Sequence, residues 1–354
     1  MKGLPVLGVM TTGGDCPGLN AALAALGKMA PAFGYDVLAI RGGTTGLLRS
    51  PPDVFPLTPD TLDETIISQG GSILGSINAD GPKPATAKES RTLQSRIKKA
   101  VYDLGLSGLI IIGGDGSFRI AHELHQNTNI PIIGIPKTID RDVGGTHYTL
   151  GFDSAVAENV RALSLLRATA SSHHRLIIAE VMGRSHGHLA LASGLSAMAD
   201  AILIPECHPD VDWLCAQLEK KHHQKSLIVV LAEGLQTLRG LPGGRLIETL
   251  ADALQTRLNR PTRSMVIGYL QRGAPPTSFE RLMASRMAHA ALSLAKAGEK
   301  QAVVTVDNHG NMGSMTLDAL ITAPVFFNQN HLMLAESLGI GLGRAPSPPP
   351  PLAP

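Results

Sequence analysis

Short apolar runs that end abruptly in polar turns recur along this chain. Leu109–Ile112 and Ile130–Ile135 are rich in β-branched residues, which is typical of buried parallel strands. The first run leads into the glycine turn 113–117 and the second into the acidic turn 136–142. A helical pattern between them begins at Ser117, a suitable N-cap. This order predicts a strand–helix–strand unit with both turns at the carboxyl ends of neighbouring strands, where open α/β sheets bind their ligands.

The same alternation of strand, turn and helix extends over most of the chain. Leu4–Met10 is followed by a turn with glycines at 13 and 14, and then by a helical pattern from Pro17 to Ala30. Further short strands are predicted at Asp36–Ile40, Leu176–Met182, Ala201–Pro205, Ser226–Leu231 and Gln301–Val306. Alternating strands and helices favour mostly parallel sheets with helices on both faces, and we therefore predict an α/β fold.

Composition and charge narrow the class of protein. The 354 residues suffice for two domains, and 44% hydrophobic with 17% charged residues is typical of a globular protein with a sizeable core. A net charge of +2 and only 3% aromatic residues argue against a nucleic-acid partner. No apolar run reaches membrane-spanning length and no signal peptide is apparent, so we expect no membrane partner. The three cysteines lack metal-ligand spacing, which favours a reducing, cytoplasmic location.

The residue types in the two central turns indicate phosphate chemistry. Glycines let backbone N–H groups approach phosphate oxygens closely, at a helix N-terminus that favours anions. Asp115 lies among those glycines, where a carboxylate suits Mg²⁺, which bridges phosphates through one or two carboxylates and water. Asp140 and Asp142 lie on the second turn, where they can supply a base for a hydroxyl nucleophile and a second anionic anchor.

Longer motifs resemble one family. GGDG in the first turn occurs in phosphofructokinases, NAD kinases and diacylglycerol kinases, so it is not decisive. PKTIDRD at 136–142 closely resembles the P-[GK]-T-I-D-N-D turn of the phosphofructokinases, which the other two families do not carry. Four more blocks match that family in order and spacing, over a range from Leu4 to about Gly343: TTGGDCPGLN (11–20), SSHHRLIIAEVMGRSHGHLALASG (171–194), LAEG (231–234) and TRSMVIGYLQRGAPPTSFERLMASRMA (262–288).

The resemblance implies two doubly wound α/β domains with mostly parallel sheets and an active-site cleft between them. By this resemblance, residues 1–151 plus 271–321 form a nucleotide-phosphate domain, and residues 152–270 plus 322–343 form a sugar-phosphate domain. Residues 344–354 are rich in proline, and we expect them to form a disordered tail.

The resemblance also implies an activity, the ATP-dependent phosphorylation of fructose 6-phosphate at its 1-hydroxyl, a step of glycolysis, with Mg²⁺ as cofactor. Asp140 would be the base, Asp115 the Mg²⁺ anchor and Arg184 the clamp on the transferring phosphoryl group. Thr138 and Asp142 would position the reacting groups. Residues expected to bind the nucleotide phosphates are Gly14, Gly113, Gly114, Asp115, Gly116, Ser117 and Lys137. Residues expected to bind the sugar phosphate are Thr138, Asp140, Arg175, Met182, Gly183, Arg184, Glu233, Arg263, Tyr269 and Arg272.

Two of the expected sugar-phosphate ligands imply an oligomer. In the family, the arginines that match Arg175 and Arg263 reach across a subunit interface. The resemblance therefore implies at least a homodimer, and a homotetramer is the state we expect.

Several residues depart from the family's pattern. Many relatives place an arginine shortly after the turn that matches Gly70–Ser76, whereas this chain has Asn78 nearby and only Lys83 as a candidate cation. Arg141 stands where the family's turn has asparagine, and a bulky cation beside the base could obstruct or retune it. Tyr269 stands where many relatives have histidine. These departures keep open a kinase for a related sugar phosphate and a regulatory homologue that catalyses little.

The phosphoryl donor depends on two positions that point in different directions. Pyrophosphate-dependent relatives carry a second aspartate where this chain has Gly116, and that side chain fills the room that the α-phosphate of ATP needs. They also carry lysine at the position of Lys137, where many ATP-dependent relatives have glycine. Because a clash excludes ATP outright while a lysine attracts either donor, we expect ATP, with pyrophosphate as the alternative.

Overall fold

The computed structural model describes residues 3–76 and 86–345. The interpretations of Asn78 and Lys83, and of the proline-rich segment from residue 346 onwards, lie outside these residues. Arg344, which we expected to begin the disordered tail, is instead anchored. Its guanidinium forms an ion pair with Glu336 at 3.2 Å, and its carbonyl oxygen accepts a hydrogen bond from Gln217. The packed part of the chain therefore extends at least to Arg344.

The helices and strands follow the predicted alternation. The strands are β1 Val6–Thr11, β2 Asp36–Ile40, β3 Val54–Pro56, β4 Leu106–Gly113, β5 Ile132–Thr138, β6 Leu150–Gly151, β7 Leu176–Val181, β8 Ala201–Leu203, β9 Leu227–Ala232, β10 Thr262–Val266, β11 Gln301–Val306 and β12 Met312–Thr316. The helices are α1 Leu19–Phe33, α2 Gly43–Leu47, α3 Ala87–Asp103, α4 Asp115–Thr128, α5 Phe152–Ser172, α6 His188–Ser196, α7 Val211–Glu219, α8 Leu246–Arg257, α9 Leu270–Gly273, α10 Ser278–Lys296, α11 Leu317–Thr322 and α12 Gln329–Ser337.

The larger sheet has the strand order β12-β11-β5-β4-β1-β2-β3, and β6 also pairs with β5. Its central pairs are parallel, whereas β3 and β12 pair antiparallel at the two edges. The predicted fold class, α/β with mostly parallel sheets, is therefore confirmed. The antiparallel edge strands were not predicted, because each is short and lacks the β-branched run of a buried strand.

The smaller sheet is parallel throughout, in the order β10-β7-β9-β8. Alternate residues of β7 enter different apolar clusters: Leu176 and Ile178 pack with one, Ile177 and Ala179 with the other. Because successive side chains of a strand point to opposite faces, both faces of this sheet are covered. The near-continuous hydrophobic sequence of the strand follows from that double burial.

Contacts within the chain define two units. One unit ends at Ser154 and resumes over Arg272–Phe326, and the other comprises Ala155–Gln271 and begins again at Phe327. The first unit contains the larger sheet, and the second contains the smaller one. The roles of the two domains in nucleotide and sugar-phosphate binding stay predictions. Within residues 3–76 and 86–345, none of the helices combines the length and apolar content needed to cross a membrane.

The helix after the central glycine turn starts earlier than predicted. We expected Ser117 to be the N-cap, but α4 begins at Asp115 with Gly114 at the N-cap position, and no side chain caps it. Similarly, β5 continues through Lys137 and Thr138, which we had placed in the turn. The strand is longer because tertiary pairing extends it: β5 gains a partner strand, β6, at those two residues.

The start of α5 is held by a carboxylate from α10. Glu280 accepts hydrogen bonds from the backbone N–H of Gly151 at 2.9 Å and from the N–H and hydroxyl of Ser154 at 3.2 and 3.1 Å. In return, the hydroxyl of Thr277 donates to Asp153. The two helix N-termini thus satisfy each other's polar groups. Because Gly151 belongs to β6, this link also supports the end of β5, from which the acidic turn begins.

The buried position of Glu280 predicts a pH-dependent contribution to stability. Burial raises the pKa of its carboxyl group to about 7 from a reference value of 4.5, while hydrogen bonds from Gly151 and Ser154 act in the opposite direction. The folded protein therefore binds this proton more tightly than the unfolded chain. The stabilising contribution is full below the unfolded pKa and is lost as the pH rises through the folded pKa.

We expect the Glu280→Gln variant, which cannot titrate, to gain stability relative to the wild type as the pH rises from about 5 to about 8. The relative gain in unfolding free energy is at most about 3 kcal/mol, the value of the pKa difference. Denaturant unfolding of both proteins at the two pH values measures it. Glu248→Gln, a change at an exposed side chain in α8, is the control and should show no such trend. An equal difference at both pH values would contradict the assignment.

Candidate active site

Two turns of the first unit lie against each other at the carboxyl end of β1. The hydroxyl of Thr11 donates to the carbonyl oxygen of Gly75 at 2.6 Å, and the hydroxyl of Ser76 donates to the carbonyl oxygen of Gly13. These bonds fasten the Gly70–Ser76 turn to the glycine turn that follows β1. Gly13, Gly70, Gly71 and Gly75 carry no side chain, so backbone groups at these positions can approach a ligand closely.

Asn20 organises this arrangement, although no motif in the sequence indicated that role. Its side chain is buried in α1, where it donates to the carbonyl oxygens of Gln69 and Gly70 at 3.2 Å each and accepts from the N–H of Ile73 at 2.8 Å. A side-chain amide is suited to binding both donors and acceptors of a backbone turn. The available signal was a polar residue inside an otherwise apolar helical segment.

The central turn requires its first glycine. A β-carbon at Gly113 would lie 2.6 Å from the β-carbon of Ser117 and 2.6 Å from the hydroxyl oxygen of Thr12. At Gly116, in contrast, nothing lies within 4 Å of an added β-carbon. The first glycine is therefore needed for the fold of the turn, whereas Gly116 leaves open space at the N-terminus of α4, where the helix dipole favours anions.

Asp115 lies in the first turn of α4 and is paired with a residue of the same helix. Arg119 binds both of its carboxylate oxygens, through Nε at 2.9 Å and Nη2 at 3.2 Å. Arg119 also donates to the carbonyl oxygen of Ile321 at 3.3 Å. The four-residue spacing of this pair on one helix face is a signal that the sequence itself contains.

Lys137 is the buried cation of the first unit's site. Its ammonium group donates to the carbonyl oxygen of Gly14, and its side chain is buried at the end of β5. Burial lowers the pKa of Lys137, and the nearby Arg272 adds to this effect, while Asp140 and Asp142 raise it. The lysine thus connects the first glycine turn with the acidic turn.

Arg272 lies at the same glycine turn. Its guanidinium donates to the carbonyl oxygen of Asp15 at 3.0 Å, and a β-carbon at Gly14 would lie 2.5 Å from Nη1. A side chain at this position would therefore displace the guanidinium of Arg272. The expected contact of Arg272 with a sugar phosphate stays a prediction.

The acidic turn is shaped by Thr138. Its hydroxyl group donates to the carboxylate of Asp142 at 2.7 Å and accepts from the N–H of Asp140 at 3.0 Å. Asp140 is 5% exposed. One hydroxyl group therefore sets the relative positions of both aspartates. The role of Thr138 in positioning the reacting groups stays a prediction.

The second unit presents a turn at the end of β7. Glu233, which follows β9, accepts hydrogen bonds from the backbone N–H of Gly183 at 3.1 Å and of Arg184 at 2.6 Å, both through Oε1. Gly183 and Arg184 both have positive φ, at 143° and 52°. A carboxylate that fixes such a turn keeps its second oxygen for other donors.

Gln271 supports the same turn, although no motif in the sequence indicated that role. It is fully buried, accepts from the N–H of Met182 at 3.2 Å and from the side chain of Asn159 at 3.0 Å, and donates to the carbonyl oxygen of Gly268 at 2.8 Å. A buried amide with every bond directed at fixed groups is a positioning element. Its sequence neighbours gave no periodic signal that set it apart.

Three of the expected sugar-phosphate ligands lie at the surface of the second unit. Arg263 is exposed on the edge strand β10, Arg175 is half-buried before β7, and Tyr269 is 81% exposed after β10. Met265 and Val266 of the same edge strand are also exposed. Their role across a subunit interface stays a prediction.

Glycine turns and a buried cation at the carboxyl ends of parallel strands define a class of α/β protein that handles phosphorylated ligands. Similarity to known proteins shows which family within this class the chain belongs to. The phosphofructokinase family model matches residues 6–295. The ATP-dependent 6-phosphofructokinase 1 of Nostoc sp. is 35% identical over 353 residues, which cover 95% of this chain and 97% of that protein. The ATP-dependent 6-phosphofructokinase of Halalkalibacterium halodurans is 38% identical over 308 residues, or 86% of this chain and 90% of that protein. The chain belongs to the phosphofructokinase family.

Solved structures support the fold. A crystal structure of the pyrophosphate-dependent phosphofructokinase from Nitrosospira multiformis matches with a TM-score of 0.79 and 20% identity, over 99% of this chain and 95% of that one. The structure of phosphofructokinase from Saccharomyces cerevisiae matches with a TM-score of 0.75 and 24% identity, and this chain spans 46% of its length. At such identities the likeness concerns the fold alone.

Proposed function

We propose that this protein is an ATP-dependent 6-phosphofructokinase that transfers the γ-phosphoryl group of ATP to the 1-hydroxyl of fructose 6-phosphate. The observation that carries the proposal is the acidic turn, where Thr138 holds Asp140 and Asp142 beside the glycine turns of the same sheet edge. The relatives at 35% and 38% identity carry the name of this enzyme. The product would be fructose 1,6-bisphosphate, which places the reaction in glycolysis.

In the proposed reaction, Asp140 acts as general base. It accepts the proton of the 1-hydroxyl while that oxygen attacks the γ-phosphorus, and the bond to the bridging oxygen of ADP breaks. The hydrogen bond from the Asp140 N–H to Thr138 fixes the backbone that carries the base. A base must stay within reach of its proton, so this hold contributes orientation rather than charge.

Charge that develops on the phosphoryl oxygens would be stabilised by cations. Lys137 donates to the Gly14 carbonyl, and burial lowers its pKa while the nearby Asp140 and Asp142 raise it, so its charge lies close to both turns. We assign Arg184 the same electrostatic role, as the resemblance implies. The residues that would recognise the sugar phosphate are Arg175, Arg263, Tyr269, Arg272 and Glu233, and Met182 and Gly183 would flank the sugar. The N–H groups of the glycine turns and Ser117 would bind the donor phosphates.

Mg²⁺ fits the residues at the start of α4. Asp115 offers a carboxylate that already attracts a cation, the Arg119 guanidinium. Among residues 3–76 and 86–345 no three His, Cys, Asp or Glu side chains form a metal-binding group. A single carboxylate at this position is sufficient for Mg²⁺, which is usually held by one or two carboxylates together with substrate phosphates and water. When bound, the ion would neutralise charge on the donor phosphates.

We expect Arg119→Gln to tighten divalent-cation binding about twofold. The guanidinium competes for both oxygens of Asp115, and an exposed pair at this helical spacing is worth only about 0.3–0.5 kcal/mol, which corresponds to a factor of about two. Titration of Mn²⁺ into nucleotide-saturated enzyme, followed by electron paramagnetic resonance, measures the affinity. Arg96→Gln, on the exposed face of α3, is the matched control. Unchanged or weaker Mn²⁺ binding in Arg119→Gln would show that the guanidinium does not compete with the cation. The Asp115→Asn variant should bind Mn²⁺ more weakly than the wild type.

A coupled assay with ATP or pyrophosphate and a panel of sugar phosphates tests the function. We expect the highest kcat/KM for ATP with fructose 6-phosphate. A preference for another sugar phosphate would favour the related-kinase alternative. Binding of ligands without turnover, with either donor, would favour a regulatory homologue. On the basis of Arg175 and Arg263 we propose a homotetramer, and analytical ultracentrifugation tests this oligomeric state. We also propose that the enzyme acts in the cytoplasm.

A further inference from the structure

Arg141, between the two aspartates of the acidic turn, has an unusual backbone conformation. Its φ is +55°, in the left-handed region that glycine and asparagine enter far more readily than arginine. The family's turn has asparagine at this position, which matches that preference. An arginine that keeps this conformation must be held by its side chain or by its surroundings.

The side chain of Arg141 is held in three ways. Its Nε donates to the carbonyl oxygen of His147 at 3.0 Å. Its guanidinium carbon lies 5.2 Å from the ring centre of Phe152 and 5.8 Å from that of Tyr148, within the range of cation–π contacts. Burial lowers the pKa of this guanidinium, and Tyr148 acts in the opposite direction.

The segment to which Arg141 is fastened is itself fixed. Leu150 and Gly151 pair with Lys137 and Thr138 of β5, and Glu280 accepts a hydrogen bond from Gly151. The acidic turn is therefore secured on its upstream side by Thr138 and on its downstream side by Arg141.

We propose that Arg141 is a positioning residue that holds the Asp140–Asp142 turn against the segment 147–152 and so keeps Asp140 oriented for proton transfer. This inference rests on the proposed function, since it assigns Arg141 to the same reaction. It is opposed to the expectation drawn from the sequence, in which a bulky cation beside the base obstructs the site. The two ideas predict opposite changes when Arg141 is replaced.

The Arg141→Asn variant separates them, because asparagine tolerates the left-handed backbone but removes the guanidinium contacts. Positioning predicts that kcat falls about tenfold while KM for ATP and for fructose 6-phosphate stays within about twofold. Obstruction predicts a higher kcat. Arg141→Lys keeps a charge and a donor but not the planar group, so it should give an intermediate kcat. The matched control is Arg286→Asn, which also removes a guanidinium bond to a backbone carbonyl, that of Gly310, and should leave kcat unchanged.

Hydrogen exchange of the unliganded protein supplies a readout that does not depend on turnover. We expect amides of residues 138–148 to exchange about tenfold faster in Arg141→Asn than in the wild type, with no such change in Arg286→Asn. Thermal unfolding of the wild type, Arg141→Asn and Arg286→Asn shows whether the faster exchange reflects a local change or a general loss of stability. A raised or unchanged kcat in Arg141→Asn, or unchanged exchange at 138–148, would overturn the proposal. A wild type without turnover that still shows the exchange difference would overturn the proposed function alone and leave the hold of Arg141 on the turn standing.

Discussion

Replacement of Asp140 by asparagine is expected to lower kcat by roughly 10²- to 10⁴-fold while the affinity for fructose 6-phosphate changes little. Asparagine has nearly the same shape and keeps the backbone N–H that donates to Thr138, so the turn should be retained. What is lost is the group that accepts the proton of the sugar hydroxyl. Steady-state kinetics with ATP, together with calorimetric titration of the sugar phosphate, measures the two quantities separately.

The control for this experiment is Asp103→Asn, the same chemical change at an aspartate that pairs with Lys99 on the exposed surface of α3. It should leave kcat unchanged. Unfolding midpoints of both variants exclude a general loss of structure. Near-normal turnover in Asp140→Asn would remove Asp140 from the role of base.

The second large effect concerns the phosphoryl donor: Gly116→Asp is expected to abolish the use of ATP. Nothing lies within 4 Å of an added β-carbon at Gly116, so the new side chain meets no protein atom at that point. An aspartate in the first turn of α4 also suits the helix dipole, by about 0.3–1 kcal/mol. The fold should therefore tolerate the change, and the loss of ATP use would come from steric and charge exclusion of the nucleotide phosphates.

Measurements of kcat/KM for ATP and for pyrophosphate on wild type and variant test this prediction. Gly116→Ala is the matched control, because it adds only the β-carbon and should keep most of the ATP activity. Lys137→Gly should weaken phosphate binding without excluding ATP. Since Lys137 also binds the Gly14 carbonyl, the unfolding midpoint of the Lys137→Gly variant must be measured alongside its kinetics. A wild type more efficient with pyrophosphate than with ATP would show that Lys137, and not Gly116, sets the choice of donor.

The fold class could be predicted from local patterns because a parallel strand buried on both faces leaves a near-continuous apolar run in the chain. β7 shows this, with alternate residues in two different clusters. The ends of the strands were harder to predict from the sequence, because they depend on pairing with other strands. The end of β5 at Thr138 follows from β6, whose two residues carry no strand signal of their own.

The candidate site likewise has parts that the sequence predicted and parts that it did not. Its glycine and acidic turns were visible because their chemistry resides in adjacent residues. Asn20, Gln271 and Glu280 were not, because a single buried polar residue acquires its function only from partners far along the chain. Glu280, for example, binds Gly151, 129 residues away.

The sequence by itself determined the α/β class, the turns with their phosphate chemistry, and the resemblance to one family. These are properties of neighbouring residues and of their spacing. Only the tertiary structure decided how the turns are held: Lys137 reaches the Gly14 carbonyl across 123 residues, Arg272 reaches the Asp15 carbonyl across 257, and Arg141 turns its guanidinium onto the rings at 148 and 152. The physical reason is that hydrogen bonds and burial act through space. A charged side chain that the sequence suggests would obstruct the site can therefore instead hold a turn in place in the folded protein.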